Sequence, residues 1–406
     1  GIQSSASHSF GHLYWSRSCC KVSQAMVALR RCVVASKAPL MQSSAWRGSK
    51  QVSRNSNVQV CATDSFQTLP TASFGASQFD LWCFNLRTEF KDKDDGPNGW
   101  SYRREAVAAL ILERQPPLVC VQEATPPMLD FLVSTIGDTN YGWIGTSRSL
   151  KSGDEMAGFL YNKRCMDVVV HQTLWLAPDG VPRGAPGWDA MYPRTVETAV
   201  FRFSIEGPTG VPKQTEVGML RVLNTHFDHV GVEARKRSAE LIAKSVADGK
   251  LEWPQCVQIV TGDFNNIKAN NEVYDILTKH EAGLQDVARQ VSLESVVPFT
   301  LHKFEGLEFV ASRGDGTVEL SAAPTNELDA LHIDWVLFRN GSDMQVKPVQ
   351  YQVMTDRIPE GPYLSDHFPV SVTFSIVKRT AAVNEVWHES QTQSDNPSDG
   401  PIRSRL

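Results

Sequence analysis

Hydrophobic positions along this chain fall into two regimes. Between about residues 78 and 376, short apolar runs alternate with stretches of helical spacing; outside those limits the pattern is weak. Phe79 to Leu86 (FDLWCFNL) predicts a core strand, because a strand covered on both faces reads as a near-continuous apolar run. Ser101 to Arg114 predicts a helix. Ala106, Leu110 and Ile111 recur at helical spacing, Ser101 is placed to cap the start, and Pro116-Pro117 closes it. Leu118 to Val121 follows as a strand and Pro126 to Ile136 as a helix. Gly158 to Tyr161, Met166 to Val170, Thr198 to Ser204 and Met219 to Thr225 read as further strands. Val232 to Ala247 is a helix, with Ala234, Leu241, Ile242 and Val246 on one side. Val257 to Val260 is a strand, after which Gly262 is expected to turn the backbone without a Cβ penalty. A helix at Asn271 to Lys279 and strands at Ile333 to Phe338 and Val370 to Phe374 complete the series. The loop Ala177 to Arg194 holds four prolines; at that length it is functional or disordered. Residues 305–330 form a Gly- and acid-bearing insertion, and no internal repeat is visible.

Charge separates the ends from the middle. The net charge is −5, yet residues 1–63 carry eight Lys or Arg and no acid, which leaves −13 for residues 64–406. An acidic body argues against tight, sequence-blind binding of long duplex DNA. Residues 1–75, rich in Ser and Arg, have the composition of a transit peptide. Met26 to Val34 can form a short basic amphipathic helix, and Val58 to Ala62 resembles a plastid processing site. A plastid address is expected, a mitochondrial one is the runner-up, and a cytoplasmic chain with an unstructured leader is the alternative. Residues 76–378 are read as the folded domain and 379–406 as a polar, unstructured tail. No apolar run is long enough to span a bilayer. The cysteines show no zinc spacing and read as free thiols of a reducing compartment.

Candidate chemistry lies where the apolar runs stop. Strands end or begin at Asn85, Glu123, His226, Asp263 with Asn265, and Asp366 with His367; Asp334 lies in a further strand. Each has a plain explanation: Glu123 precedes a helix, a lone His is commonly a surface or core residue, and Gly-Asp-x-Asn is an ordinary strand exit. Their recurrence points to one site, since functional groups gather at strand ends of a rigid sheet. Oxygen ligands from Asp, Glu and Asn suit Mg²⁺ or Mn²⁺, and histidines can move protons or donate to phosphate oxygens. Those are the parts that metal-assisted phosphoester hydrolysis requires. A Walker A loop is missing from the sequence, which argues against an ATPase or kinase.

Six stretches carry a resemblance: Phe84-Asn85-Leu86-Arg87, Gln122-Glu123, Asn224-Thr225-His226, Gly262-Asp263-Phe264-Asn265, His332-Ile333-Asp334-Trp335 and Ser365-Asp366-His367. In this order they resemble the endonuclease/exonuclease/phosphatase superfamily, which includes deoxyribonuclease I-like nucleases, nocturnin-like deadenylases, sphingomyelinases and inositol polyphosphate phosphatases. The resemblance spans roughly residues 78–376. It implies an α+β fold, a four-layer α/β/β/α sandwich of two packed mixed sheets flanked by helices. It implies Mg²⁺ or Mn²⁺ held by Glu123, with Asn85 and Asp366 nearby. Asp263 would orient or activate the attacking water, helped by Asn265. His367 would contact the scissile phosphate with its tautomer set by Asp334, and His226 would reach the same phosphate. Glu155 sits where the family's His-orienting acid falls. Gly187-Trp188-Asp189-Ala190, Pro193-Arg194 and Thr225 to Gly231 resemble a bacterial-type subfamily on the nocturnin side, whose substrate is not well defined. Arg194 is a candidate grip on a substrate phosphate or half of a carboxylate pair; Trp188 either stacks on a ring or anchors its loop. The leading expectation is a 3′-to-5′ exonuclease on single-stranded RNA or DNA, acting as a monomer. The alternatives are a phosphatase or phosphodiesterase of a small metabolite or lipid, which the acidic body favours, and an inactive binding module.

Overall fold

The computed structural model describes residues 78–205, 215–269, 271–279, 281–291, 297–309 and 331–378. The expected leader, the tail and most of the 305–330 insertion lie outside the described residues. In chain order the strands and main helices are β1 (Gln78–Asn85), α1 (Trp100–Arg114), β2 (Leu118–Ala124), α2 (Pro126–Ile136), β3 (Tyr141–Gly145), β4 (Met156–Asn162), β5 (Met166–Trp175), β6 (Thr195–Ile205), β7 (Thr215–His226), α3 (Val232–Glu252), β8 (Val257–Asp263), α4 (Glu272–Lys279), β9 (Gln285–Asp286), β10 (Asp334–Arg339), β11 (Met344–Val353) and β12 (Val370–Lys378).

These strands form two six-stranded sheets, ordered β11-β12-β1-β2-β4-β3 and β5-β6-β7-β8-β10-β9. Each contains one parallel pair, β1 with β2 and β7 with β8, joined by α1 and α3 respectively; the other pairings are antiparallel. A parallel pair needs a crossover, and a helix packed on the sheet supplies it. The two sheets therefore repeat one plan that the sequence does not repeat.

Side-chain alternation along β1 explains the layers. Phe79, Leu81 and Cys83 point between the sheets and meet Phe201, Val222 and Ile259 of the other sheet. Trp82 and Phe84 point outward beneath α1 and α2, against Val107, Ile111 and Leu132. Val260 and Trp335 do the same under α3 and α4, with Ile242 and Leu277 above them. The four-layer α/β/β/α sandwich holds, and it accounts for strands that read as uninterrupted apolar runs.

Two local expectations need correction, and one strand had no expectation. Ser101 does not cap α1: it lies in the first turn, and Asp92 accepts from the backbone N–H of Trp100 and of Ser101. The cap comes from eight residues upstream, beyond the reach of a local sequence rule. Gly262 makes no turn; it lies within β8, paired with Thr225 of β7. Its φ is 144°, and a Cβ there would meet the Thr225 carbonyl oxygen at 2.0 Å, so the glycine serves a close backbone approach. Strand β11 was not anticipated; it alternates buried and exposed positions at a sheet edge, with Pro348 at a register shift.

One buried polar network joins the two sheets. Gln122 Nε2 on β2 donates to Asn224 Oδ1 on β7 at 2.7 Å. Asn224 Nδ2 in turn donates to the carbonyls of Val121 and Gly158 at 2.9 and 2.7 Å. The two side chains are fully buried and bonded, so they pin one sheet to the other one residue or two before Glu123 and His226. Asn224→Ala is expected to cost about 1–3 kcal/mol, the usual penalty for orphaning buried carbonyls. Chemical denaturation measures it, and a loss below about 0.5 kcal/mol would show the pin to be dispensable.

Candidate active site

Strand direction gathers the polar groups. Parallel β1 and β2 end together, with Asn85 opposite Gln122, and parallel β7 and β8 end together, with His226 opposite Asp263. Antiparallel neighbours begin at the same edge: Asp334 of β10 faces Asp263, and Met156 of β4 faces Ala124. β12 runs antiparallel to β1, so the Ser365-Asp366-His367 segment preceding it arrives at that edge too. Every strand end singled out in the sequence thus reaches one side of the sandwich.

Asp263 lies at the centre. It is 1% exposed, and its Oδ2 is 3.0 Å from Asn85 Nδ2, 3.5 Å from His226 Nε2 and 3.8 Å from His367 Nε2. Its Oδ1 accepts from the Asn265 backbone N–H at 2.9 Å. His367 Nδ1 meets Asp334 Oδ2 at 2.9 Å, as anticipated. Asn85 Nδ2 also reaches Glu123 Oε1 at 3.2 Å, and Thr88 N–H donates to Glu123 Oε2 at 3.2 Å. Asp366 lies 3.4 Å from Arg87 Nη1, whose guanidinium is gripped on its other edge by both oxygens of Asp95. Arg87, Glu123 and Asn265 all have left-handed backbone, with φ of 54°, 54° and 46°. Three non-glycine residues in that region within one site are held there by their surroundings, a pattern typical of functional constellations. Glu123 also sits in a register shift between β2 and β4, which redirects its side chain.

Other expected members are placed differently. As positioned, Asn85 is a bridge between two carboxylates: its amide nitrogen serves Glu123 and Asp263, while its Oδ1 accepts from Arg87 N–H. The side-chain amide of Asn265 donates to the Phe227 carbonyl, so it braces the β7 exit. Glu155 pairs with Arg148 Nη1 at 2.8 Å, so that arginine, not a histidine, is its partner. Arg194 is 5% exposed and faces Asp228 at 3.4 Å and His229 at 3.4 Å, which realises the carboxylate pair rather than a free phosphate grip. Trp188 is half-buried in its loop with a φ of 51°.

The loop motifs have a structural meaning the sequence did not disclose. Asp189 accepts from Glu233 and Ala234 N–H, capping α3 from a distant loop. Asp228 accepts from Tyr192, Val230 and Gly231 N–H. Burial would push its carboxyl up, but those donors and Arg194 hold it down at about 2. Together they fasten the 177–194 loop to the end of β7. Arg148, whose guanidinium lies 4.8 Å from the Tyr192 ring, carries no sequence signal, because it stands in a β3–β4 loop without periodicity.

A cleft opens beside these groups, lined by Glu123, Arg148, Glu155, Met156, Ala157, Pro193, Arg194, Thr195 and His226. Electrostatics sort the two histidines. Burial opposes charge on His367, but Asp334, Asp263 and Asp366 outweigh it and push its pKa up to about 10. Burial, with Arg194 and Arg148 nearby, keeps His226 well below its usual range and hence neutral. Burial and then Asp334 raise Asp263, and burial raises Asp366. Crowded carboxylates with raised pKa values mark a site short of positive charge. Glu123 and Asp366 offer oxygen donors, the set a hard divalent cation takes. Asp263, Asp334 and His367 form a tighter group, with ligand atoms within 4.8 Å of one another. There His367 and Asp334 are spent on each other, which favours a proton-handling group over a cation shell.

Comparison with known proteins agrees with the fold. Among curated proteins none matches the sequence significantly. Solved structures do. An endonuclease/exonuclease/phosphatase from Bacteroides vulgatus is 26% identical with a TM-score of 0.57, covering 74% of this chain and all 100% of its own. A Bacteroides thetaiotaomicron mannosyl-6-phosphatase is 24% identical, TM-score 0.57, covering 74% and 99%. D. rerio TDP2, complexed with a single-strand DNA product, shares the fold at 16% identity and TM-score 0.51, covering 74% and 99%. The sequence model of the Endonuclease/Exonuclease/phosphatase family matches residues 78–367, most of the chain. With the two mixed sheets and the strand-end constellation in place, this chain belongs to the endonuclease/exonuclease/phosphatase family.

Proposed function

We propose that this protein is a divalent-cation-assisted phosphoester hydrolase whose substrate is a small phosphorylated molecule. The observation that carries the chemistry is the Asp263 carboxylate, held between Asn85, His226 and His367 at 3.0, 3.5 and 3.8 Å. Asp263 is the group that takes the proton of the attacking water, oriented by the Asn265 backbone N–H and the Asn85 amide. His367, kept cationic by Asp334, donates to a phosphoryl oxygen and balances charge as it builds there. Neutral His226 gives a second hydrogen bond to the same group. Glu123 and Asp366 would hold Mg²⁺ or Mn²⁺, with Asn85 tying Glu123 to Asp263. That ion would supply Lewis acidity at the phosphate.

Charge pairing supports the small substrate. Arg87 is matched by Asp95 and Asp366, Arg148 by Glu155, and Arg194 by Asp228. A strand with many phosphates calls for cations that are not already neutralised. Cleavage of single-stranded nucleic acid is the second reading. It is favoured by Phe90, 56% exposed and two residues from the Thr88 that touches Glu123, where a base can stack.

Chelation with EDTA is expected to remove hydrolysis, and Mg²⁺ or Mn²⁺ to restore it. The ion is also expected to raise the melting midpoint of the parent chain and not of Glu123→Gln. Activity indifferent to chelation would overturn the cation. For the leader we propose, from composition, an organelle address. Residues 1–75 fused to a fluorescent reporter are expected to direct it to a plastid or mitochondrion, and a diffuse cytosolic signal refutes the address.

A further inference from the structure

We propose that Arg87, anchored by Asp95, is a positioning residue that sets the Asp366 carboxylate for the divalent cation. The inference rests on the cation reading above and extends it to the charged loop between β1 and α1. Lys91 to Asp95 is an unbroken run of charged residues, which reads most simply as a solvated loop. Lys91 and Asp94 fit that reading, paired at 3.4 Å on the surface. Asp92 and Asp95 do not. Asp92 holds the start of α1 by accepting from Trp100 and Ser101 N–H. Asp95, its side chain 10% exposed, takes Arg87 with both oxygens, Nε at 2.9 Å and Nη2 at 3.0 Å. Two parallel bonds of this kind fix the plane of a guanidinium.

The backbone of Arg87 is held as firmly as its side chain. Its N–H donates to Asn85 Oδ1 and its carbonyl accepts from Arg103 Nη2, each at 3.0 Å. Between those two contacts the residue is kept at a φ of 54°. What the arrangement leaves directed into the site is Nη1, 3.4 Å from Asp366 Oδ2. Arg103 also donates to the Leu364 carbonyl at 2.6 Å. One side chain of α1 thus fixes both the arginine and the segment that delivers its target.

The effect is felt at the ligand oxygens. Glu123 Oε1 and Oε2 accept from Asn85 Nδ2 and from Thr88 N–H, both at 3.2 Å. Asp366 Oδ1 accepts from Ser365 Oγ at 3.2 Å, and its Oδ2 faces Arg87. Every oxygen of the two carboxylates therefore has a protein partner, and a carboxylate oxygen has lone pairs for a second. Those that remain can face a cation. Three of the four partners come from Asn85, Arg87 and Thr88, so one turn orients two ligands that stand on β2 and ahead of β12.

Charge balance alone would not call for this construction. A lysine on a flexible stem would supply the same charge, and either cation would repel an incoming ion. A guanidinium clamped along one edge instead presents a fixed donor to a single oxygen. Removing the group behind a metal ligand costs about 10–100-fold in metal affinity.

The test is isothermal titration of the full chain with Mn²⁺, with Glu123→Gln as the blank for the site. Arg87→Lys, which keeps the charge and loses the fork, and Arg87→Met are both expected to bind Mn²⁺ ~10-fold more weakly than the parent. Asp95→Asn, which loosens the clamp and leaves the arginine, is expected to weaken binding in the same direction by less. Parent-like affinity in Arg87→Lys, or tighter binding in Arg87→Met, overturns the positioning role, because the guanidinium then acts as charge alone. Metal-free melting midpoints are read on the same samples. Weakening that follows a falling midpoint across the three variants overturns it too, since that is loss of fold and not of a ligand's orientation. Equal Mn²⁺ binding by the parent and Glu123→Gln overturns the cation reading instead.

Discussion

Asp263→Asn is expected to lower kcat/KM by about 10²–10⁴-fold, the span a positioned general base contributes, while the metal-free protein melts no earlier than the parent. Asparagine keeps the shape of the side chain but cannot take a proton. The four contacts converging on this carboxylate, from Asn85, His226, His367 and Asn265, have no other chemical purpose in common. The stability half follows from linkage. Burial and Asp334 raise the Asp263 pKa above that of the unfolded chain. An acid raised in this way binds its proton more tightly when folded. Its charge therefore lowers stability progressively as pH rises past the unfolded value of about 3.9. Deleting that charge removes the penalty at pH 7. Turnover near the parent level would overturn the assignment. A midpoint several degrees lower would show that the carboxylate holds the site together rather than straining it.

Arg103→Met is expected to cost about 3–5 kcal/mol, because several carbonyls lose a charge-assisted donor at about 1–3 kcal/mol each. Arg103 projects from α1 with no exposed surface. It donates to the carbonyls of Leu86, Arg87, Asn98 and Leu364. Its guanidinium lies 5.6 Å from the Trp100 ring centroid. Burial pulls its pKa down to about 10, so it stays charged at neutral pH. The carbonyls it serves belong to the exit of β1 and to the loop that delivers Ser365-Asp366-His367. Methionine fills the volume and takes the donor from four carbonyls, those of Leu86 and Leu364 in fully buried contacts. Denaturant unfolding gives the stability loss, and turnover should fall with it because Arg87 and Asp366 lose their common support. A loss under about 1 kcal/mol would mean that water replaces the guanidinium.

The legible parts of this molecule share a physical origin. β1, β2, β8 and β10 were readable because strands buried on both faces carry near-continuous apolar runs, β12 because its apolar residues alternate with polar ones, and α1 to α4 because their apolar stripes recur at helical spacing. Boundaries were less readable. β6 and β7 run further than their apolar segments suggest, since backbone pairing with a neighbour continues a strand through polar residues. The α1 cap on Asp92 and the α3 cap on Asp189 were invisible, because a carboxylate many residues away supplies what local rules seek next door. Gly262 shows the same limit: its type was noticed, but its reason, the Thr225 carbonyl of a neighbouring strand, lies outside any window of sequence.

The site divides along the same line. Composition and order alone established which residue types stand at the strand ends, from Asn85 through Glu123, His226 and Asp263 to Asp334, Asp366 and His367. Those types already named oxygen ligands, proton carriers and phosphoester chemistry. Only the tertiary structure decided their partners. It made Asn85 a bridge, tied Glu155 to Arg148 and Arg194 to Asp228, and set Arg148 against Tyr192. The reason is geometric. A side chain's identity is written at its own position, whereas its protonation, orientation and contacts depend on groups that two packed sheets bring together from far along the chain.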